Sequence, residues 1–515
     1  MAAASHPSRP PVPGCTPLFD AEAMRQADRA ASEDHGIPSV VLMERAGLAA
    51  AREIEAAWPD ARSADILVGP GNNGGDGMVV ARHLAEAGWR VRVAAPGGRA
   101  PATPDAALMT RIAATLGIDV APFDPAAPHD AAAVAVDALL GTGATGAPHG
   151  PLGAAVEWLA AHPGPVVALD VPSGVEADTG RVAGAAVRAD LTVTFHGDMT
   201  GLHVAPGLGR SGRVVVVDIG IPRLVAPPPA AWLAPRAVIA AIPAKGAASD
   251  KYASGSVLVV AGSPGLTGAA ALAASSALRA GAGLVVAAVP AGVQPLVAAH
   301  LLEVMCAPVP DEDGHLAPSS VDAVLGEARR ASAVAIGPGL GRAAATTAAV
   351  EALIDVLAPP VVIDADGLWH LGDAPERVAG RRGPTVLTPH AGEAARLLGR
   401  PRADVEADRL ACARELAARA GAVVVLKGAG TITAAPDGTA VVTDGGTAAL
   451  ATAGTGDVLT GAVAAALAKG MDPLPAAVAA VAAHARAGEL ADRGDGTIAS
   501  DVRDALPRAI AGEHG

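Results

Sequence analysis

Two glycine-rich stretches of this 515-residue chain carry an aspartate where anion chemistry could use one. Ala453-Gly454-Thr455-Gly456-Asp457 leads into an apolar, helix-like run. Gly71-Asn72-Asn73-Gly74-Gly75-Asp76-Gly77 follows an apolar run ending near Val68 and precedes a helix-like run expected from Met78. Clustered glycines let backbone N–H groups approach an anion closely. A helix start adds a partial positive charge. A carboxylate held there can take a proton from an attacking hydroxyl. Phosphoryl transfer asks for little beyond such positioning and charge stabilisation. Neither stretch is the Gly-x-Gly-x-x-Gly fingerprint of a dinucleotide dehydrogenase or a P-loop ending in Gly-Lys-Ser/Thr. Hydride transfer is therefore weakly supported.

Further polar loops follow apolar runs in both halves. In the first, Asp137 opens Asp-Ala-Leu-Leu-Gly-Thr-Gly-Ala-Thr-Gly and Asp170 opens Asp-Val-Pro-Ser-Gly. In the second come Gly337-Pro338-Gly339-Leu340-Gly341, Asp364-Ala365-Asp366-Gly367, Thr388-Pro389-His390-Ala391-Gly392-Glu393 and Lys427-Gly428-Ala429-Gly430-Thr431. Ligands of open parallel sheets collect at the carboxyl ends of strands. Asp76, Asp137 and Asp170 are thus expected in one crevice, where neighbouring carboxylates hold a cation or shift one another's pKa. Lys427 suits a phosphate and His390 a substrate contact. Each residue taken alone also reads as a cap or a turn, and their combination is what points to chemistry.

The elements that must position these loops alternate. Apolar runs at 65–68, 90–94, 132–136, 166–169, 191–195 and 214–217 read as strands, with helices between several of them and one or two more over 21–57. A second series, 256–261, 284–289, 333–336, 361–364, 385–387 and 423–426, is followed by a hairpin over 431–434 and 440–443. Helices are expected over 268–280, 344–357, 392–398, 404–418 and 456–469. Continuous rather than alternating apolar strands indicate sheets covered on both faces. Two α/β layered domains follow, residues 18–222 and 246–511, joined by a Pro-rich linker over 223–245.

Composition bounds the reading. Hydrophobic residues make up 51% and charged residues 17%, enough for large cores, while aromatics are only 2%, so Ala, Val and Leu must fill those cores. The net charge of −14 and the lack of a basic stripe argue against a nucleic-acid groove. Cys15, Cys306 and Cys412 are too scattered for a metal site or a disulfide framework. The polar, Pro-rich start lacks the apolar stretch of a secretory signal, and no run suits a bilayer. A cytoplasmic enzyme without membrane or nucleic-acid partners is expected, and a homo-oligomer.

Met24-Arg25-Gln26-Ala27-Asp28, Leu42-Met43-Glu44-Arg45-Ala46-Gly47, Gly71 to Gly77, Asp137 to Gly143 and Asp170 to Gly174 resemble the epimerase domain of the bifunctional NAD(P)H-hydrate repair enzymes. The Gly337, Asp364, Thr388, Lys427 and Gly454 motifs resemble that family's ADP-dependent dehydratase domain. The resemblance implies a Rossmann-like three-layer domain followed by a ribokinase-like α/β domain. It implies interconversion of the R and S hydrates of NADH and NADPH at C6, then dehydration of the S form with ADP, releasing AMP and phosphate. Cofactor contacts would map to Asn72, Asn73, Gly74, Gly75 and Asp76, to Gly141, Thr142, Gly143, Ala144, Thr145, Gly146 and Ala147, and to Asp170. A potassium ion would lie near Asn73, Asp137 and Ser173. The AMP part would meet Lys427, Gly428, Ala429, Gly430, Thr431 and Gly456, and the hydrate Ala269, Gly339, His390 and Asp457. Asp170 and Asp457 would be catalytic, and Mg²⁺ would arrive with the nucleotide phosphates.

Two departures stand out. Met199 occupies the place of a lysine usual after Thr192-Val193-Thr194-Phe195, with His196 as the nearby alternative, and Asp250-Lys251 replaces a His-Lys pair. The residues alone leave open a small-molecule kinase with a second nucleotide-binding domain, a binding scaffold with a decayed first site, and the choice between ADP and ATP.

Overall fold

The computed structural model describes residues 9–225, 227–247 and 249–513. It divides into two compact units, Pro17–Ala231, and Trp232 onward together with the segment before Pro17.

The first unit is built on a seven-stranded sheet. Its strands are β1 (Ser63–Val68), β2 (Arg90–Ala95), β3 (Val120–Pro122), β4 (Val134–Ala138), β5 (Val166–Leu169), β6 (Leu191–Phe195) and β7 (Arg213–Val217). Every pairing is parallel, in the order β3-β2-β1-β4-β5-β6-β7. The central strands β1, β4 and β5 are buried along their whole length, as continuous apolar runs require. The order reverses between β1 and β4, so the loops after these two strands part and leave a crevice. Helices α1 (Ala21–Glu33) and α2 (Ser39–Ala57) precede the sheet. The Asp20 side chain caps α1 by accepting from the Ala23 N–H at 2.7 Å.

One local expectation is overturned here. The stretch Asn72 to Gly77 is not a loop ahead of a helix but the first turns of α3 (Asn72–Glu86). Its glycines serve close packing rather than unusual dihedrals. A Cβ on Gly74 would collide with the Gly69 carbonyl oxygen, one on Gly75 would lie 2.7 Å from Met43 Sδ, and one on Gly77 2.5 Å from Ala138 Cβ. Glycine's poor helix propensity is outweighed by how near α3 lies to α2 and the sheet.

The second unit contains β8 (Ala231–Leu233), β9 (Ser256–Val260), β10 (Leu284–Pro290), β11 (Met305–Val309), β12 (Ala333–Ile336), β13 (Val361–Ile363), β14 (Thr385–Leu387), β15 (Val423–Leu426), β16 (Thr431–Ala434) and β17 (Ala440–Thr443). They run β11-β10-β9-β12-β13-β14-β15-β16-β17-β8. The pairings are parallel from β11 to β15 and antiparallel through β16 and β17. The order reverses between β9 and β12. Helices α4 (Thr267–Arg279), α5 (Ala391–Leu398), α6 (Arg409–Ala420), α7 (Thr455–Ala468) and α8 (Pro473–Ala491) carry or support the loops at the strand ends. The helix expected over 404–418 is two, because Asp408 ends Arg402–Ala407 and its side chain caps α6 through the Ala411 N–H.

Small residues fill this core. Ala270, Ala273, Ala274 and Ala277 of α4 meet Val458, Ala462 and Ala465 of α7 in one cluster. The helices come so close that a Cβ on Gly461 would collide with the Ala273 carbonyl. The Pro-rich segment read as a linker is divided between the units, and from Trp232 onward it folds into this one. Trp232, Val238, Ile239 and Ile242 pack with Val12 and Cys15 against Val478 and Ala482 of α8.

Candidate active sites

The crevice of the first unit has a volume of 630 Å³. Its wall includes Asn72, Asn73 and Asp76 from α3, Gly141 to Ala144 after β4, Asp170 after β5, and Met24, Arg25 and Asp28 from α1. Asp170 has a positive φ of 68°, which turns the chain sharply as it leaves β5. Its Oδ2 accepts from the Thr142 N–H at 2.8 Å. A Cβ on Gly141 would sit 2.7 Å from that oxygen, so only glycine lets the carboxylate settle there. Burial pushes the Asp170 carboxyl up, against the Thr142 hydrogen bonds. Asp76 is held well above the usual carboxylate range by burial and by the charges of Asp170 and Asp28. Asp28 is pushed up to about 6 by burial and by Asp170.

Asp137 and Ser173 lie beneath this crevice. The Ser173 hydroxyl donates to Asp137 Oδ1 at 2.7 Å, the Ser173 N–H donates to Oδ2 at 2.7 Å, and the Leu139 N–H donates to Oδ1 at 3.2 Å. Burial raises the Asp137 carboxyl to about 6 in spite of these donors. Asn73 donates from Nδ2 to the Leu140 and Leu169 carbonyls at 2.6 and 3.1 Å. Its Oδ1 is buried and has no hydrogen-bond partner among the described residues. An unpaired buried acceptor beside a buried carboxylate, on loops lined with carbonyls, is a donor set that suits a large monovalent cation. Gly74 and Gly75 pack behind the crevice wall, while the Gly146 N–H bonds Glu176 Oε1 at 3.2 Å. Thr145 and Ala147 belong to the same loop, beyond the stretch that lines the crevice.

Met199 is fully buried in an apolar cluster with Met24, Val171, Val175 and Leu202. His196 takes a φ of 65° on the turn after β6. Neither lines the crevice; Phe195 and Ile219 do.

The second unit gathers its groups around Asp364, which is 1% exposed at the end of β13. Lys427 Nζ lies 2.7 Å from Asp364 Oδ1, and the Thr460 hydroxyl donates to Oδ2. Glu393 Oε2 is 4.0 Å from the same ammonium. Burial works to lower the Lys427 pKa, but Asp364, Glu393 and Asp457 outweigh it and hold the cation. Burial, aided by Asp364, raises Asp457 to about 7 against the pull of Lys427. Burial raises Glu393 to about 7 as well. Asp457 sits in the first turn of α7, where Gly454 takes a φ of 90°. A Cβ on Gly456 would stand 3.4 Å from Lys427 Nζ, so the glycine keeps the space before the cation clear.

The remaining expected contacts surround this centre. Lys427 donates its N–H to the Pro389 carbonyl at 2.8 Å, joining its loop to that of His390. His390 caps α5, its Nδ1 accepting from the Gly392 and Glu393 N–H groups at 3.0 and 3.2 Å. That tautomer leaves Nε2 as a donor. Gly339, with φ 62°, faces Ala269 of α4, whose Cβ would be 3.1 Å from one on Gly339. The Thr431 hydroxyl closes the Lys427 loop by donating to the Gly428 carbonyl at 2.8 Å. Among the described residues no three His, Cys, Asp or Glu side chains converge to hold a metal ion.

The family described as NAD(P)H-hydrate dehydratase matches residues 257–508, and that described as YjeF-related protein N-terminus matches residues 39–201. A bifunctional NAD(P)H-hydrate repair enzyme of Moorella thermoacetica is 41% identical, with 96% of each chain covered. One from Salinibacter ruber is 40% identical, with 97% of each covered. The chain belongs to the bifunctional NAD(P)H-hydrate repair enzymes. A crystal structure of the Bacillus subtilis ADP/ATP-dependent NAD(P)H-hydrate dehydratase, co-crystallised with ATP and Mg²⁺, is 34% identical; the match covers 54% of this chain and 96% of that one at a TM-score of 0.47.

Within this family member, three kinds of residue escaped the sequence reading. Asp28 joins Asp76 and Asp170 from an outlying helix, and its signal was the Met24 to Asp28 motif. Asp364 and Glu393 were visible in their loops, but their pairing with Lys427 is a tertiary fact. Thr460, His484 and Arg409 carried no signal, each lying inside a helix. His484 is buried on α8 with Nε2 2.9 Å from the Thr455 carbonyl, and burial lowers its pKa to about 4.

Proposed function

We propose that this chain repairs hydrated NADH and NADPH in two steps, with residues 18–222 epimerising the hydrates and residues 246–511 dehydrating the S form at the expense of ADP. The observation that carries the reading is Asp457, placed at a helix start beside a buried cation, with a pKa near neutrality. The hydrate bears a hydroxyl on C6, next to ring N1. Asp457 takes that proton as the oxygen attacks the β-phosphorus of ADP and the bond to AMP breaks. Electron density from N1 then expels phosphate, and loss of the C5 proton restores the reduced ring. Lys427 and the N–H groups of Gly454 to Gly456 face the charge that develops on the phosphoryl oxygens. Lys427 to Thr431 and Gly456 hold the nucleotide, while Ala269, Gly339 and His390 hold the hydrate. Mg²⁺ is carried by the nucleotide phosphates.

In the first crevice Asp170 moves the proton as the C6 centre is opened and reclosed. The proposed binding wall is Asn72, Asn73, Asp76, Gly141 to Ala144 and Asp170, with Gly74, Gly75 and Thr145 to Ala147 supporting it from outside the lining. Potassium is proposed at Asn73, Asp137 and Ser173, where it would supply a fixed positive charge beneath the carboxylates. Met199 stands in the chain where the family's lysine is expected but is buried outside the crevice lining, and a modest rate of epimerisation is expected. The same reading makes the protein a cytoplasmic homo-oligomer acting on small molecules.

Separated R- and S-hydrates, supplied with ADP or ATP, test the proposal when reduced-cofactor absorbance and AMP are followed together. Recovery of NADH from both epimers is expected, with stoichiometric AMP when ADP is supplied. A stable phosphorylated product without reduced cofactor would reject it.

A further inference from the structure

Arg409 is 5% exposed on α6, on the far side of the loop that carries Lys427. Its Nη1 donates to the Ala429 carbonyl at 2.6 Å and its Nη2 to the Leu426 carbonyl at 3.3 Å. The two carbonyls bracket Lys427 and Gly428. Between them Gly428 takes a φ of 147°, and a Cβ there would come within 2.7 Å of Arg409 Nη2. The guanidinium occupies the space a side chain would need. Burial lowers its pKa to about 10, so it stays charged at neutral pH.

We propose that Arg409 is the positioning residue of the nucleotide loop, setting the direction in which Lys427 to Gly430 present their donors to the diphosphate of ADP. A trans peptide points its C=O and the following N–H in opposite directions. By drawing the Ala429 carbonyl inward, Arg409 turns the Gly430 N–H away from itself. By holding the Leu426 carbonyl, it fixes the strand end from which Lys427 projects. A planar fork is needed because the two acceptors belong to different turns of the backbone; a lysine ammonium reaches one of them as a point charge. Arg409 touches no reacting atom and acts through the loop.

The inference rests on the reading of Lys427 to Thr431 as the ADP site. Full-length wild type, Arg409→Lys, Arg409→Met and Gly428→Ala are compared in ADP titrations of S-hydrate dehydration. A hydrogen bond to a charged group is worth ~1.5–3 kcal/mol, so KM for ADP should rise ~tenfold to ~hundredfold in Arg409→Met. Arg409→Lys should fall between Met and wild type, and Gly428→Ala should reproduce the ADP defect with Arg409 still present. KM for the hydrate should not move. Methylguanidinium, below denaturing concentrations, should lower the ADP KM of Arg409→Met but not of Gly428→Ala. A general loss of folding would not give this split or this rescue. An unchanged ADP KM in folded Arg409→Met, or a fall confined to kcat, overturns the proposal. Failure of wild type to bind ADP at all overturns the nucleotide reading itself, and calorimetry with ADP alone separates the two results.

Discussion

The two sites handle negative charge in opposite ways. The second holds its own counter-charge: Lys427 stands 2.7 Å from Asp364 and is kept protonated by Asp364, Glu393 and Asp457. The first brings Asp28, Asp76 and Asp170 together with Arg25, which among the described residues is the one cationic side chain on its wall, and Arg25 is already paired with Glu22 at 3.0 Å. Burial and mutual repulsion therefore raise the carboxyls of the first site, and Asn73 Oδ1 has no donor among the described residues. A site with an internal cation is ready for an anionic nucleotide. On the proposed reading, the first site would take its counter-charge from a bound potassium ion.

This contrast can be broken most sharply by removing each proposed proton carrier in turn. Asp457→Asn should lower dehydration by ~10²–10⁴-fold, the usual contribution of a positioned base, while R- and S-hydrates continue to interconvert. Loss of both activities would show that the sites are not separate. Asp170→Asn should slow epimerisation by ~10²-fold or more and leave dehydration of pure S-hydrate unchanged. A chiral chromatographic assay of the two epimers reads this directly.

Smaller effects sharpen the comparison. Replacing potassium with choline should slow epimerisation several-fold, on the order of what a weakly bound charge contributes, with S-hydrate dehydration unaffected. Equal sensitivity of both steps would remove the distinction between internal and borrowed cations. The dehydration rate should fall as pH drops below about 7, because protonated Asp457 cannot accept the hydroxyl proton. Glu393 titrates over the same range, so the acidic limb belongs to both groups. A flat profile from about pH 5.5 to about pH 8, on either side of neutrality, would exclude a carboxylate base. Gly74→Ala should lower the melting temperature of the first unit by a few degrees, from ~1–3 kcal/mol of overpacking, without moving the thermal transition of the second.

Most strands were legible because they are buried on both faces and read as unbroken apolar runs, as in Val166–Leu169 and Ala333–Ile336. The acidic loops were legible because polar residues directly after such runs have few other uses. The start of α3 was not, since a row of glycines reads as a turn until the neighbours that exclude Cβ atoms are known. Short pairings such as Val120–Pro122 and Ala231–Leu233 carry too few residues to show a period. Arg409 was hidden for a different reason: a buried arginine whose partners are backbone carbonyls leaves no charge pattern in the sequence.

The segment around Val12 and Cys15 packs with Trp232 and Ile239, although some two hundred residues of another unit intervene in the chain. In topological terms the first unit is an insertion near the amino end of the second, and the host unit is discontinuous. A fragment begun at residue 246 would discard Val12, Cys15, Trp232 and Ile239 together and bare the apolar face of α8 that they cover. The two activities are therefore better dissected by point substitutions in the intact polypeptide than by scission.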